Sequence, residues 1–127
     1  MNIARRVFFG AGIYGLLVLG PQFFLEARIS RDHPPAITHP EFYYGFIGTA
    51  LAWQIAFLGI ARDPVRHRAL MPAAIVEKAV FALAVPILYL RGRIPAAPLA
   101  FAGIDALLGI LFAWAYVKTS PRHLPVP

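Results

Sequence analysis

The sequence contains no cysteine. This absence excludes disulfide bonds, thiolate metal ligands and thiol nucleophiles. Charged residues are also scarce, because Asp, Glu, Lys and Arg make up only 14% of the chain, whereas an average soluble domain has about 25%. Hydrophobic residues make up 59% of the 127 positions. A soluble fold of this size has too little interior to bury so much apolar surface, so the composition indicates a membrane protein.

Acidic residues are scarcer than basic residues. Six Asp and Glu residues stand against twelve Lys and Arg residues, and the formal net charge is +6. In a soluble protein such an excess would suggest nucleic-acid binding. Here the basic residues stand mostly between hydrophobic runs, where they meet the anionic headgroups of lipids. We therefore expect the lipid bilayer, and not nucleic acid, to be the partner of these charges.

Four hydrophobic runs account for nearly all of the chain, and each is about the 20 residues that a helix needs to cross roughly 30 Å of hydrocarbon. Their continuous apolarity excludes the alternating pattern of a membrane β-barrel. The sequence therefore predicts an all-α integral membrane four-helix bundle with short loops, forming a single transmembrane domain over residues 1–127. The predicted spans are residues 7–25, 42–61, 69–90 and 96–117, and residues 119–127 are predicted to be a flexible tail.

A polar linker joins the first two spans. Its Pro34–Pro35 pair forbids a continuous helix. Thr38 and Glu41 have the spacing of a capping box, so the second helix is expected to begin near Thr38. The linker also supplies oxygen and imidazole groups that could bind a metal ion, although their spacing matches no defined motif. These candidate ligands are Asp32, His33, His39 and Glu41.

Two features of the second span and its loop lead to further expectations. Small residues on one face of the span predict close packing against another helix, and Gln54 on the opposite face indicates either helix packing or an oligomer contact. After the span, Asp63 is expected to cap a short turn that Pro64 begins. The small face consists of Gly45, Gly48, Ala52, Ala56 and Gly59.

Three ionisable residues lie inside the third and fourth spans. Burial makes such groups expensive, so Glu77, Lys78 and Asp105 are candidate functional residues, together with the polar Gln54. The alternative is a structural ion pair that holds helices together. Lys78 lies nine residues into the third span and Asp105 nine residues into the fourth, counted from opposite membrane surfaces. Their depths in the bilayer are therefore similar, so we expect them to pair across two antiparallel helices. Glu77 is expected to find its partner in water or in Gln54.

In length and span count the chain resembles the many small four-span bacterial membrane proteins, including the DoxX-like group. Small multidrug exporters have a similar plan but rely on a carboxylate in the first span, and residues 7–25 contain none. The leading hypothesis is a non-enzymatic subunit or accessory factor, as a homo-oligomer or with another membrane subunit. The alternative is a carrier or membrane enzyme for a small lipophilic molecule, with Glu77 and Asp105 exchanging protons or holding a cation. No motif identifies a cofactor.

The distribution of Lys and Arg predicts a cell-membrane protein with both termini in the cytoplasm, because positive residues favour the cytoplasmic side. The loop containing Arg62, Arg66, His67 and Arg68 is interpreted as topogenic, and specific lipid binding is the alternative. Seven basic residues are predicted to lie on the cytoplasmic side and four, namely Arg28, Arg31, Arg91 and Arg93, on the outer side. The seven are Arg5, Arg6, Arg62, Arg66, Arg68, Lys118 and Arg122.

A reporter enzyme that is active only outside the cytoplasm tests this orientation. Fused after Pro127, the reporter should stay inactive, because that terminus is predicted to be cytoplasmic. The same reporter inserted after Pro35, in the first loop, serves as the positive control and should be active. Strong activity at the C-terminal position would contradict either the orientation or the third span.

Overall fold

The computed structural model describes residues 3–119, and this part of the chain is helical with no β-strand. Four of the helices are long and apolar enough to cross a membrane, which confirms the predicted all-α plan. Such an arrangement supports a multi-pass membrane protein. A single 3-10 turn at Arg68–Leu70 leads into the third long helix. The α-helices are α1 (Ile3–Gln22), α2 (Glu26–Asp32), α3 (Pro40–Arg62), α4 (Met71–Leu90) and α5 (Pro98–Lys118).

The region between the first two spans differs from the sequence prediction in two ways. The short helix α2 was not predicted, because seven residues are too few to show a clear hydrophobic period. The capping box at Thr38 was wrong, since α3 begins at Pro40 and the N-cap residue His39 makes no side-chain cap hydrogen bond. Proline at the first helical position lacks an N–H group, which removes one of the donors that a cap would satisfy.

The turn after α3 agrees with the prediction, whereas the first residue of the predicted flexible tail does not. The Arg66 amide donates a hydrogen bond of 3.1 Å to Asp63 Oδ1, which confirms the predicted cap of the turn after α3. Thr119, the first residue of the predicted tail, is buried and its hydroxyl donates to the Ala115 carbonyl at 2.8 Å. The remaining tail residues, 120–127, lie outside the described part of the structure.

The bundle is built from two helix pairs, α1 with α3 and α4 with α5. Contacts between α1 and α5 join the pairs, whereas α3 and α4 touch only slightly. Three fully buried phenylalanines lie where the pairs meet, with the Phe8 and Phe112 rings stacked at 4.2 Å and the Phe57 and Phe112 rings at 5.0 Å. These rings connect α1, α3 and α5, and Met71 of α4 packs in the same core.

The packing face of α3 is not the one that the sequence suggested. An added β-carbon at Gly45, Gly48 or Gly59 would meet nothing within 4 Å, so the close packing predicted for these small residues is not formed by a helix of this chain. The close approach comes from α1 instead, whose Gly12 backbone lies against the side chain of Leu58. The buried residues of α3 are Ile47, Ala50, Gln54, Phe57, Ile60 and Ala61.

Replacing Gly15 with alanine tests this helix contact. A β-carbon at Gly15 would overlap the side chain of Gln54, so we expect Gly15→Ala to lower the free energy of unfolding by about 1–3 kcal/mol. The matched control is Gly10→Ala on the same helix, where the added β-carbon meets nothing within 4 Å. Alanine there should leave the stability unchanged or raise it by up to about 1 kcal/mol. Denaturant unfolding in detergent micelles measures both, and equal effects would contradict the contact.

Candidate functional site

The candidate site is a cluster of three charged side chains between α4 and α5. Lys78 lies at its centre with 5% of its side chain exposed. The ammonium Nζ atom is 3.4 Å from Asp105 Oδ1, which confirms the expected pairing across the two helices. The expectation followed from depth and from the short connection between the helices. Each residue sits about nine positions into its span, a helix rises about 1.5 Å per residue, and a short loop makes the two helices antiparallel neighbours.

Glu77 also belongs to this cluster. Its Oε2 atom lies 3.6 Å from Lys78 Nζ, so the expectation that Glu77 would turn to water or Gln54 was wrong. Adjacent helix positions point about 100° apart, but the long, flexible lysine chain carries its ammonium back to a point between both carboxylates. The same Oε2 atom is buried and accepts no hydrogen bond from residues 3–119. Lys78 is therefore its electrostatic partner.

The neighbouring helices close the cluster on two sides. The Phe57 ring of α3 lies 5.3 Å below the Lys78 ammonium, within the range of a cation–π contact. On α5, Gly109 offers no side chain, and a β-carbon there would come within 3.4 Å of Lys78 Cβ. Ala102 of the same helix is buried. Small residues on α5 therefore allow the lysine stem to pass close to the α5 backbone.

The charges in the cluster do not balance. Two carboxylates face one ammonium, so the cluster carries one negative charge when all three groups are ionised. The carboxylate side chains are also less buried than the lysine, with 21% of Glu77 and 16% of Asp105 exposed. A charge at the centre of a membrane helix costs about 2.5–3.5 kcal/mol on insertion scales. The surplus charge is therefore the feature of the site that a proton, a cation or a positively charged partner could neutralise.

Gln54 lies apart from these charges, in the contact between α1 and α3. Its side chain is 1% exposed, and its Nε2 donates a 2.8 Å hydrogen bond to the Ala50 carbonyl one turn earlier. Its Oε1 is buried against Gly15 and has no hydrogen-bond partner within residues 3–119. Of the two alternatives for Gln54, the structure shows helix packing inside the bundle.

The linker residues considered as metal ligands are spread over separate contacts. Asp32 pairs with Arg28 at 3.5 Å, and His39 Nδ1 lies 3.2 Å from Glu41 Oε1. Within residues 3–119 no three His, Asp or Glu side chains come close enough together to hold a metal ion. His33 is exposed in the turn between α2 and α3. The geometry therefore does not gather Asp32, His33, His39 and Glu41 into one site.

A second polar contact, at the other end of α3, was missed by sequence reasoning. The Tyr44 hydroxyl donates to Glu26 Oε2 at 2.8 Å, and the Tyr43 hydroxyl donates to the Gln22 carbonyl. Together they fix the corner between α1 and α2 against the start of α3. A tyrosine pair at the start of a span is typical of an interfacial position, but nothing in the sequence identifies the hydrogen-bond acceptors.

Comparison with known proteins gives no match: no protein-family model fits the chain, and no curated protein or solved structure is significantly similar. The chain is therefore assigned to no family. The likeness to DoxX-like proteins stays a likeness in length and span count.

Substitutions in the cluster should affect stability unequally. Lys78→Met leaves both carboxylates without their cation, so we expect the largest loss, about 3–5 kcal/mol. Asp105→Asn should cost less, because Glu77 still pairs with Lys78. The triple variant Lys78→Met, Glu77→Gln, Asp105→Asn should recover much of the loss, since no buried ion remains.

Denaturant titration in detergent micelles gives the free energy of unfolding for each variant. Lys118→Met, at the end of α5, removes the same charge from an exposed position and is the control. A loss for Asp105→Asn as large as that for Lys78→Met would show that Glu77 is not a partner of the ammonium.

Proposed function

We propose that this protein is a non-enzymatic membrane subunit or accessory factor that works by binding another membrane helix. The observation that carries the proposal is that Lys78 is already paired inside the bundle. Its ammonium is held by Glu77 and Asp105 and covered by Phe57, so the charged groups act as a connection between helices. Polar contacts of this kind are a common means of holding membrane helices together.

The exposed face of α3 supports the same proposal. Gly45, Gly48 and Gly59 have open space where a side chain would stand, and Ala52 is exposed between them. Membrane helices associate where small residues let two backbones come close, because lipid gives no hydrophobic driving force. The bundle uses the opposite face of α3 for its own packing, so the small face is available to a second copy or another subunit.

Leucine substitutions distinguish this face from ordinary lipid-facing surface. Gly48→Leu should weaken association at least tenfold, because the side chain keeps the partner backbone away. Gly103→Leu on α5 is the matched control, since that glycine is also exposed with nothing within 4 Å of an added β-carbon. Fluorescence energy transfer between labelled copies in bicelles measures self-association, and crosslinking in native membranes captures another subunit. Equal association of both variants and the wild type would overturn the proposal.

A second candidate function rests on the surplus negative charge. In a carrier or membrane enzyme for a small lipophilic molecule, Glu77 and Asp105 would exchange a proton or hold a cation. Their partial exposure at the surface of the bundle favours access from outside the bundle. The small face of α3 plays no part in this function, so the two candidates predict different sensitive residues.

The lipophilic cation tetraphenylphosphonium is a suitable probe for the second candidate. If it is correct, purified protein in micelles should bind this ion, and Glu77→Gln with Asp105→Asn should reduce the affinity at least tenfold. Glu41→Gln in the exposed linker is the control. Equal binding by wild type and double variant would remove the support for a carrier.

A further inference from the structure

A groove runs between α1 and α3 at the end of the bundle where α1 begins and α3 ends. Its volume is about 880 Å³. Arginines line its outer end, and apolar residues line the part that lies deeper along the helices. On α3 the lining residues fall at positions 55, 58, 59, 61 and 62. Four of them, at 55, 58, 59 and 62, share one helix face and span roughly 10 Å along the axis. The groove therefore passes from a cationic mouth into an apolar channel.

We propose that this groove binds one anionic phospholipid. Its phosphate lies among the guanidinium groups of Arg5, Arg6 and Arg62, and one acyl chain follows the groove past Phe9 and Ile55. Guanidinium groups bind phosphate oxygens through paired, charge-assisted hydrogen bonds. Basic pockets between membrane helices are suited to anionic headgroups for the same reason.

The mouth of the groove is cationic and partly preorganised. Arg5 Nη2 donates a 3.2 Å hydrogen bond to the Arg62 carbonyl at the end of α3, which fixes its side chain across the groove. No carboxylate from residues 3–119 lines the groove. The first described turn of α1 contains no acidic residue that would oppose these positive charges.

The distribution of charge along the bundle also favours an anionic ligand at the end where the groove opens. Six basic residues within residues 3–119 lie at this end of the bundle, and three of them line the groove. The acidic residue at this end is Asp63, whose Oδ1 already accepts a hydrogen bond from the Arg66 amide. At the other end four basic residues stand against Glu26, Asp32 and Glu41. The six are Arg5, Arg6, Arg62, Arg66, Arg68 and Lys118.

The deeper part of the groove is suited to the acyl chain. Phe9 is 56% exposed and Ile55 is 63% exposed, and both belong to helices long and apolar enough to cross a membrane. Gly59 has open space above its backbone, which leaves room for a hydrocarbon chain beside Leu58. An inorganic anion would fill the mouth only. A zwitterionic lipid such as phosphatidylcholine would bring a quaternary ammonium to the three guanidinium groups together with its phosphate, and the like charges repel.

Native mass spectrometry of the full chain, released from micelles containing equal amounts of phosphatidylglycerol and phosphatidylcholine, tests the proposal. The wild type should retain one phosphatidylglycerol in at least tenfold preference. Arg5→Gln with Arg62→Gln should abolish the preference, and so should Gly59→Leu, which keeps every charge but fills the channel. Two controls should behave as the wild type: Arg91→Gln with Arg93→Gln, which removes two charges at the other end, and Gly45→Leu on α3.

Three results would overturn the proposal. Equal retention of the two lipids by the wild type shows that the groove does not select the anionic headgroup. Equal losses in the two arginine double variants show a general effect of net charge. Full retention by Gly59→Leu, together with displacement by inorganic phosphate, shows an anion site without an acyl channel. Circular dichroism of each variant verifies that it is folded, and the arginine variants replace exposed side chains only.

Discussion

The contact on which the rest of the bundle depends is the burial of one ammonium between two carboxylates at mid-depth. In a lipid environment apolar side chains gain nothing by leaving the solvent for a neighbouring helix, so polar contacts and close packing decide which helices associate. Lys78 links α4 to α5 through Asp105 and retains Glu77 on its own helix. The Lys78 ammonium also lies over the Phe57 ring and so contacts α3, which otherwise makes few contacts with α4.

A second, purely steric contact holds the other helix pair. The glycines of α1 let α3 approach so closely that Gln54 fills the space a side chain at Gly15 would need. The stacked phenylalanines then join the two pairs. Because the pair α1–α3 is formed through the glycines of α1, the glycines of α3 remain outside, and a face suited to helix association is left available.

The net charge differs between the two ends and the centre of the bundle. One end is strongly basic, the centre has a surplus carboxylate and the other end is close to neutral. The basic end suits anionic headgroups, the centre suits a structural ion pair, and the tyrosines at the near-neutral end bond to the corner after α1. The proposed lipid groove lies between α1 and α3 at the basic end, and the small face of α3 meets this groove at Gly59.

The sequence determined the four long helices and the common depth of Lys78 and Asp105. Both follow from the fixed rise of an α-helix and the thickness of hydrocarbon, which do not depend on neighbours. The tertiary structure decided which side of α3 packs inward, and it placed Glu77 with Lys78 rather than with Gln54. The physical reason is that a helix surrounded by lipid can turn apolar or small residues to either side at similar cost. Its rotation about its own axis is therefore set by the shapes of the helices packed against it.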